Sequence, residues 1–223
     1  EIQAVLASGG ELLVRREGEI GPAFTLDALM AEGYDAALIT LGLNGSVALD
    51  AERPASGVTG ALEFLARSKR GEVRLPAEST VLVIGGGNTA IDAAVAAKRC
   101  GAGDVAIVYR RSFAEMPAWP NEREEAIREG VHFLILTQPV GYVAGEDGRL
   151  TGLKVVRTRL SAPGPDGRRQ PQAVAGSEHV IPADWVIEAI GQRVNEELKS
   201  ALTGIETTRS GYVKVREGSL ATT

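Results

Sequence analysis

Two hydrophobic periods alternate along this 223-residue chain. Val81-Leu82-Val83-Ile84 is a short continuous apolar run, the pattern of a strand buried on both faces. From Asn88 to Arg99 the apolar positions recur at helical spacing, and Val105 to Tyr109 forms a second apolar run. Val131 to Thr137 (VHFLILT) and Trp185 to Ile190 (WVIEAI) repeat the strand pattern. Segments 80–84, 105–109, 131–137 and 185–190 therefore predict one parallel sheet. Between the last two lies no helical pattern. Gly141 to Ala144 and Leu150 to Leu160 read as two strands joined by a turn at Glu146-Asp147-Gly148, with Gln172 to Ile181 as a third. This antiparallel meander would replace the final crossover helix. The polar loop from Ser161 to Pro171 would leave the basic pair Arg168–Arg169 at a solvated tip.

The flanks are less regular. Glu1 to Ser8 reads as the end of a helix and Glu11 to Arg15 as a short strand. Thr25 is a plausible N-cap for a helix over Leu26 to Ala31, stopped by Gly33. Tyr34 to Leu41 reads as a buried strand ending at Gly42. Leu43 to Gly57, with its Gly, Pro and Ser, reads as a linker. Val58 to Arg70 predicts a helix closed by Gly71. The stretch SFAEMPAWPNE is loop-like, and Pro120 suits the first turn of a helix running to Glu129 with Gly130 as its stop. Glu196 to Leu202 predicts a short helix and Tyr212 to Val215 a late strand.

The chemistry concentrates where the first apolar run ends. Gly85-x-Gly87-x-x-Ala90, lying between a strand and a helix, has the G-x-G-x-x-G/A form of a dinucleotide-binding turn. Gly85 permits the tight exit from the strand. Gly87 lets a pyrophosphate approach the backbone, and Ala90 packs helix against strand. The helix N-terminus then offers N–H groups and a positive dipole end to phosphates, with Asn88 or Thr89 as its cap. The end of the second strand chooses the dinucleotide. NAD sites place an acid there for the ribose 2′-hydroxyl; here the chain reads Tyr109-Arg110-Arg111. Two guanidiniums suit a 2′-phosphate, which favours NADP. Ligands of such sheets sit at the strand carboxyl ends, where Gly85, Tyr109 to Arg111 and Gly191-Gln192 are expected to converge. The fold class is α/β, a Rossmann-like domain with a parallel sheet and an antiparallel β-meander insertion.

Other features narrow the function. A net charge of −5 argues against nucleic acid or an anionic membrane as partner. No apolar run reaches membrane-spanning length and no signal peptide is visible, so a cytoplasmic location is expected. The chain begins without Met, in what reads as the middle of a domain, and so reads as a piece of a longer protein. The single cysteine, Cys100, reads as a small buried apolar residue and cannot make a redox disulfide or ligate an iron–sulfur cluster alone. That excludes a disulfide reductase. A short-chain dehydrogenase needs Tyr-x-x-x-Lys, but Tyr34, Tyr109, Tyr142 and Tyr212 are followed four residues on by Leu38, Phe113, Glu146 and Arg216. His132 and His179, the two histidines, fall in predicted strands and make no metal site. Glu115 and Glu188 sit near strand ends without forming a catalytic constellation. Asp92 lies early in the helix, where a carboxylate favours the dipole. No catalytic residue is assigned.

VLVIGGGNTAIDAA, VAIVYRRSFAEMPA, EAIGQ and GYDAALITLGLN together resemble the small subunit of NADPH-dependent glutamate synthase and its relatives, among them the flavin half of dihydropyrimidine dehydrogenase. The resemblance runs from about residue 1 to about 220. It implies two interleaved dinucleotide domains, one for FAD and one for NADPH, and hydride transfer from NADPH to the flavin. It implies that Gly85, Gly86, Gly87, Asn88, Thr89 and Ala90 cradle the NADPH pyrophosphate and that Arg110 and Arg111 hold the 2′-phosphate. Gly191 and Gln192 would lie near the nicotinamide. Residues 79–195 would be the NADPH-binding domain and 46–78 a linker and helix. Residues 1–45 and 196–223 would be parts of the FAD domain, whose own glycine turn and closing Gly-Asp segment are not in this chain. The full-length protein would then bind FAD and work with a larger catalytic or iron–sulfur subunit. The alternative is a non-catalytic NADP(H)-binding or regulatory module. Trp119-Pro120 departs from the basic residues of the relatives.

Overall fold

The computed structural model describes residues 25–40, 45–52, 56–194 and 211–219 without a break, together with 7, 9, 42, 43, 54, 202, 204–209, 221 and 222. The chain divides into two units, residues 45–192 and the two flanks, 1–44 with 193–223.

In the flanking unit, Thr25 caps helix α1 (Leu26–Ala31) by accepting the Ala28 N–H at 3.2 Å, and Gly33, at a φ of +95°, follows the helix end. The expected strand over Tyr34 to Leu41 is not formed: residues 34–40 are irregular and Leu38 is 88% exposed. An apolar run becomes a strand only against a neighbour that accepts its backbone hydrogen bonds, and among the described residues none pairs with it. The expected late strand over Tyr212 to Val215 reduces to one bridge, Thr207 to Val213. The readings for Glu1 to Ser8, Glu11 to Arg15 and Glu196 to Leu202 fall mostly or wholly outside the described residues.

The larger unit is built on a parallel sheet of five strands. After the two-residue strand β1 (Gly45–Ser46), these are β2 (Val58–Gly60), β3 (Thr80–Ile84), β4 (Asp104–Val108), β5 (His132–Leu134) and β10 (Trp185–Glu188), in the spatial order β2-β10-β3-β4-β5. The four strands expected from the apolar runs are all present. The fifth, β2, occupies residues assigned to the start of a helix; α2 (Ala61–Lys69) begins only after Gly60. A strand of three residues, Val58-Thr59-Gly60, carries too little pattern to be recognised from sequence.

Each face of the sheet is covered by a different layer. On one face lie α2, α3 (Asn88–Arg99) and α4 (Pro120–Arg128). There Val81, Val83, Val105, Ile107 and Ile187 pack against Phe64 and a stripe of alanines, of which Ala90, Ala93, Ala94 and Ala97 are fully buried. Alanine at these positions lets α3 lie close to β3 and β4. On the other face lies the meander, β6 (Thr137–Ala144), β7 (Leu150–Pro163), β8 (Arg169–Ala173) and β9 (His179–Pro182). Leu82, Ile84, Ala106, Val108 and Val186 pack there against Tyr142, Leu150, Leu153 and Val155. Strand alternation explains the division, since residues two apart share a face. The expected third strand over 172–181 is split by a turn at Gly176, whose φ is +74°.

The chain passes from the parallel sheet into the meander through two residues, Ile135 and Leu136. Leu136 has a φ of +52°, the one left-handed non-glycine backbone among the described residues. It ends the apolar run that sequence reads as one strand from 131 to 137, turning the chain from β5 into β6. Its N–H donates to the Arg111 carbonyl at 2.9 Å, and its own carbonyl accepts the Thr158 N–H at 2.8 Å. These bonds offset a conformational cost of about 1 kcal/mol.

Candidate functional site

The carboxyl ends of β3, β4 and β10 open into a cleft of about 460 Å³. Gly85, Gly86 and Gly87 line it from β3, Tyr109 and Arg110 from β4, and Ala189, Ile190 and Gly191 from β10. Leu49, Pro117, Gln138 and Pro139 complete the wall. Three separate segments thus meet as the parallel topology requires.

The three glycines meet different surroundings. Gly85 has a φ of +142°, and a Cβ there would lie 2.4 Å from the Ala189 carbonyl oxygen. A Cβ on Gly86 would lie 2.4 Å from the Tyr109 ring. A Cβ on Gly87 would meet nothing within 4 Å. Gly85 and Gly86 are therefore required by the fold, whereas the open space beside Gly87 is room for a ligand to reach the backbone.

Gly87 is also the N-cap of α3, which corrects the expectation that Asn88 or Thr89 fills that role. No side chain bonds to the free N–H groups there, and the first turn carries no acid. The Asn88 Oδ1 instead accepts the Trp119 N–H at 3.0 Å, tying the loop before α4 to the glycine turn, and the Ala118 N–H reinforces this by donating to the Gly86 carbonyl at 3.0 Å. Asp92 lies beyond the first turn, so it does not compensate the dipole. Burial pushes its carboxyl above the usual range, and nearby Glu125 adds to the effect. Lys98 and Arg99 occupy the last turn, where cations suit the negative end. The helix therefore presents an uncapped, uncompensated positive end beside the cleft, the arrangement that holds phosphate groups.

The two arginines differ. Arg110 is exposed and lines the cleft. Thr158 on β7 fixes its backbone by donating its hydroxyl to the Arg110 carbonyl at 2.7 Å. Arg111 is not on the cleft wall. It is half-buried beside Tyr109, and its Nε is buried without a hydrogen-bond partner. Burial pushes the Tyr109 phenol up while Arg111 and Arg110 pull it down, so it stays protonated and donates to the Glu115 carbonyl at 2.8 Å. Gly191 lines the cleft with a φ of +146°, whereas Gln192 opens the short strand β11 (Gln192–Arg193) outside the wall. Thr89 is half-buried and Ala90 fully buried against the sheet.

Two acids need separate treatment. Glu188 is 2% exposed, and its Oε1 accepts the Leu49 N–H and the Tyr142 hydroxyl, each at 2.6 Å. It ties the segment before β2 and the meander to β10. Sequence reasoning did not find the role of Glu115. It lies five residues past Arg110, but the 3₁₀ turn Phe113–Glu115 folds it back toward the arginines. The Ser112 hydroxyl donates to Glu115 Oε2 and, more than any other influence, holds this carboxyl below its usual range. The fold-back has a sequence signal, a serine three residues before a glutamate, the capping-box spacing. Arg168 and Arg169 are both exposed, as expected, but Arg169 opens β8 rather than the loop tip, and its Nη1 lies 3.8 Å from Glu115 Oε1. Among the described residues no His, Cys, Asp and Glu cluster fits a metal ion, and no helix is long and apolar enough to cross a membrane.

The chain is similar to known proteins. The chain is 37% identical over 226 residues to the NADP(+)-dependent formate dehydrogenase subunit beta of Moorella thermoacetica, spanning 100% of this chain and 31% of that protein. It is 38% identical over 212 residues to the glutamate synthase [NADPH] small chain of Escherichia coli K12, spanning 90% of this chain and 45% of that one. The resemblance to the glutamate synthase small subunit therefore holds, and the chain spans less than half the length of either relative. Among solved structures, Mycobacterium tuberculosis FprA in complex with NADPH superposes with a TM-score of 0.61 at 17% identity, over 81% of this chain and 54% of that one. A thioredoxin reductase from T. acidophilum gives a TM-score of 0.52 at 18% identity, over 72% of this chain and 44% of that one. Both likenesses concern the fold, and both bear out the Rossmann-like class. The model of one family, described as pyridine nucleotide-disulphide oxidoreductase, matches residues 29–222. With nearly its whole length so matched and a glycine turn at the sheet's carboxyl edge, the chain belongs to the pyridine nucleotide-disulphide oxidoreductase family.

Proposed function

We propose that this chain is the NADP(H)-binding portion of an FAD-dependent oxidoreductase that passes hydride from NADPH to the flavin. The observation that carries this reading is the uncapped N-terminus of α3, without an acid in its first turn, beside a glycine turn that leaves room for phosphate at Gly87. In this reading the N–H groups at the start of α3 bind the pyrophosphate, and Gly85 and Gly86 keep the turn tight enough to present them. Arg110, pinned by Thr158, holds the 2′-phosphate, and the unsatisfied Arg111 Nε is a donor that an anion would engage. Gly191 admits the nicotinamide end at the opposite side of the turn. Bound NADPH supplies the hydride, and the chain's own residues orient it and need no acid–base group.

Residues 1–45 and 196–223 belong, on this reading, to the FAD domain of a longer cytoplasmic protein, which works with a larger catalytic or iron–sulfur subunit. The names of the relatives, a formate dehydrogenase subunit and a glutamate synthase small chain, favour a multi-subunit setting. The experiment is a calorimetric titration of the full-length protein with NADPH and with NADH. NADPH is expected to bind more tightly, and the double variant Arg110→Ala with Arg111→Ala is expected to lose most of that preference. Equal affinity of the unaltered protein for both coenzymes refutes NADP selectivity. Failure of NADPH to bleach the flavin without air, despite binding, would leave the non-catalytic module.

A further inference from the structure

The meander delivers a cation to the nucleotide end of the parallel sheet that neither the glycine turn nor the Arg110–Arg111 pair accounts for. Arg169 opens β8, and its guanidinium is held at two points. Its Nε donates to the Ser161 carbonyl at 2.9 Å, and its Nη1 lies 3.8 Å from Glu115 Oε1. The Gln170 N–H donates to Ser161 Oγ at 2.9 Å, bracing the irregularity where the register between β7 and β8 shifts. Thr158 and Leu160 lie opposite Ala173 and Pro171, so Arg169, two residues before Pro171, shares the face from which Thr158 grips Arg110.

Glu115 links this hairpin to the arginine pair. Its backbone carbonyl accepts the Tyr109 hydroxyl, and Arg110, Arg111 and the Glu115 carboxylate all act on that phenol. Arg123 of α4 holds the same turn from the other side, donating to the Phe113 carbonyl at 2.7 Å. The Glu115 carboxylate thus faces Arg169 with one oxygen while Ser112 already engages the other. The Arg169–Glu115 contact is long, and both long side chains gain little from it in water. A phosphomonoester carries more charge and matches the fork of a guanidinium.

We propose that Arg169 is a third cation for the phosphate on the adenosine ribose and that Glu115 is the counter-ion it exchanges for that phosphate. The proposal rests on the NADP(H) reading above and adds a selectivity residue from the inserted meander, outside the strand–turn–strand unit. Because Ser161 already orients the guanidinium, little side-chain freedom is lost when phosphate arrives.

The test is calorimetric titration of the full-length protein with adenosine 2′,5′-bisphosphate and with AMP, which differ only in the 2′-phosphate. Arg169→Ala is expected to weaken the bisphosphate about fivefold and to leave AMP unchanged. Arg169→Lys should restore part of the loss, since it keeps the charge and loses the fork. Glu115→Gln should strengthen the bisphosphate about threefold by removing the competitor. Unchanged bisphosphate affinity in Arg169→Ala, or an equal loss for both ligands, overturns the proposal while leaving the NADP(H) reading standing. Equal affinity of the unaltered protein for both ligands overturns the NADP(H) reading, and the proposal with it.

Discussion

The two faces of the parallel sheet are packed by different means, and each brings a different kind of chemistry to the cleft. On the helical face the buried side chains of α3 are mostly alanines, and what reaches the ligand is backbone: a glycine turn and the N–H groups of an uncapped helix. On the meander face the contacts are branched aliphatics, Leu153 and Val155 against Ile84 and Val108, and what reaches the cleft's charged end is side chain. Thr158 pins Arg110, and Arg169 stands near Glu115. On the proposed function, close packing presents the backbone that meets the part of a dinucleotide common to all of them, the pyrophosphate. On the same proposal, the inserted layer deals with the part that distinguishes one coenzyme from another.

The strongest way to break this comparison is at Gly85. Gly85→Ala places a methyl 2.4 Å from a backbone oxygen at a φ of +142°. Strain and overlap together should cost on the order of 4 kcal/mol and abolish binding of NADPH and NADH alike, as denaturant unfolding and titration would reveal. Gly87→Ala sharpens the point: with open space around its Cβ, it should change stability by at most about 1 kcal/mol yet weaken either coenzyme about tenfold. A Gly87→Ala protein that binds normally would show that phosphate does not approach the backbone there.

The next largest effect belongs to the other face. Leu153 is fully buried, and Leu153→Ala should cost about 3 kcal/mol through the cavity it leaves. The meander layer carries no phosphate-binding backbone, so below the unfolding temperature this variant should bind AMP normally. Loss of AMP binding without unfolding would erase the distinction between the faces.

Much of this layout is legible in the residues. The central strands announce themselves because they are buried on both faces, so Val81 to Ile84 and Val105 to Val108 are nearly unbroken apolar runs. The glycine turn is legible because its three residues are adjacent and its neighbours have clear periods. What escapes the sequence is whatever depends on distant partners. Tyr34 to Thr40 has the composition of a strand but no described partner strand, and Val58 to Gly60 is a strand only because β10 lies beside it. The N-cap of α3 is Gly87, because Asn88 already lies within the helix, and the Asn88 side chain serves the Trp119 N–H instead. Arg169 and Glu115 lie 54 positions apart, and only the meander's return path brings them together.

The smallest effect is a titration. Ser112 first, and Arg169 among lesser causes, hold the Glu115 carboxyl below its unfolded value. A carboxyl depressed in the folded state contributes stability that is complete above the unfolded value and fades as pH falls through the folded one. The pH-dependence of unfolding should therefore differ between the unaltered protein and Glu115→Gln only in crossing that acidic window. Carboxyl NMR that finds Glu115 titrating at or above the ordinary range would remove the counter-ion from the comparison.

Leu136 has a consequence for motion. Its N–H bonds the segment that follows β4, at Arg111, and its C=O bonds β7, at Thr158. Fraying of either the loop after β4 or the base of the long hairpin releases a bond held by that one residue. Amide exchange at Leu136, Thr137 and Thr158 should thus proceed through a single opening event with a common free energy. A breathing motion that admits coenzyme would then have to lift the hairpin as a whole.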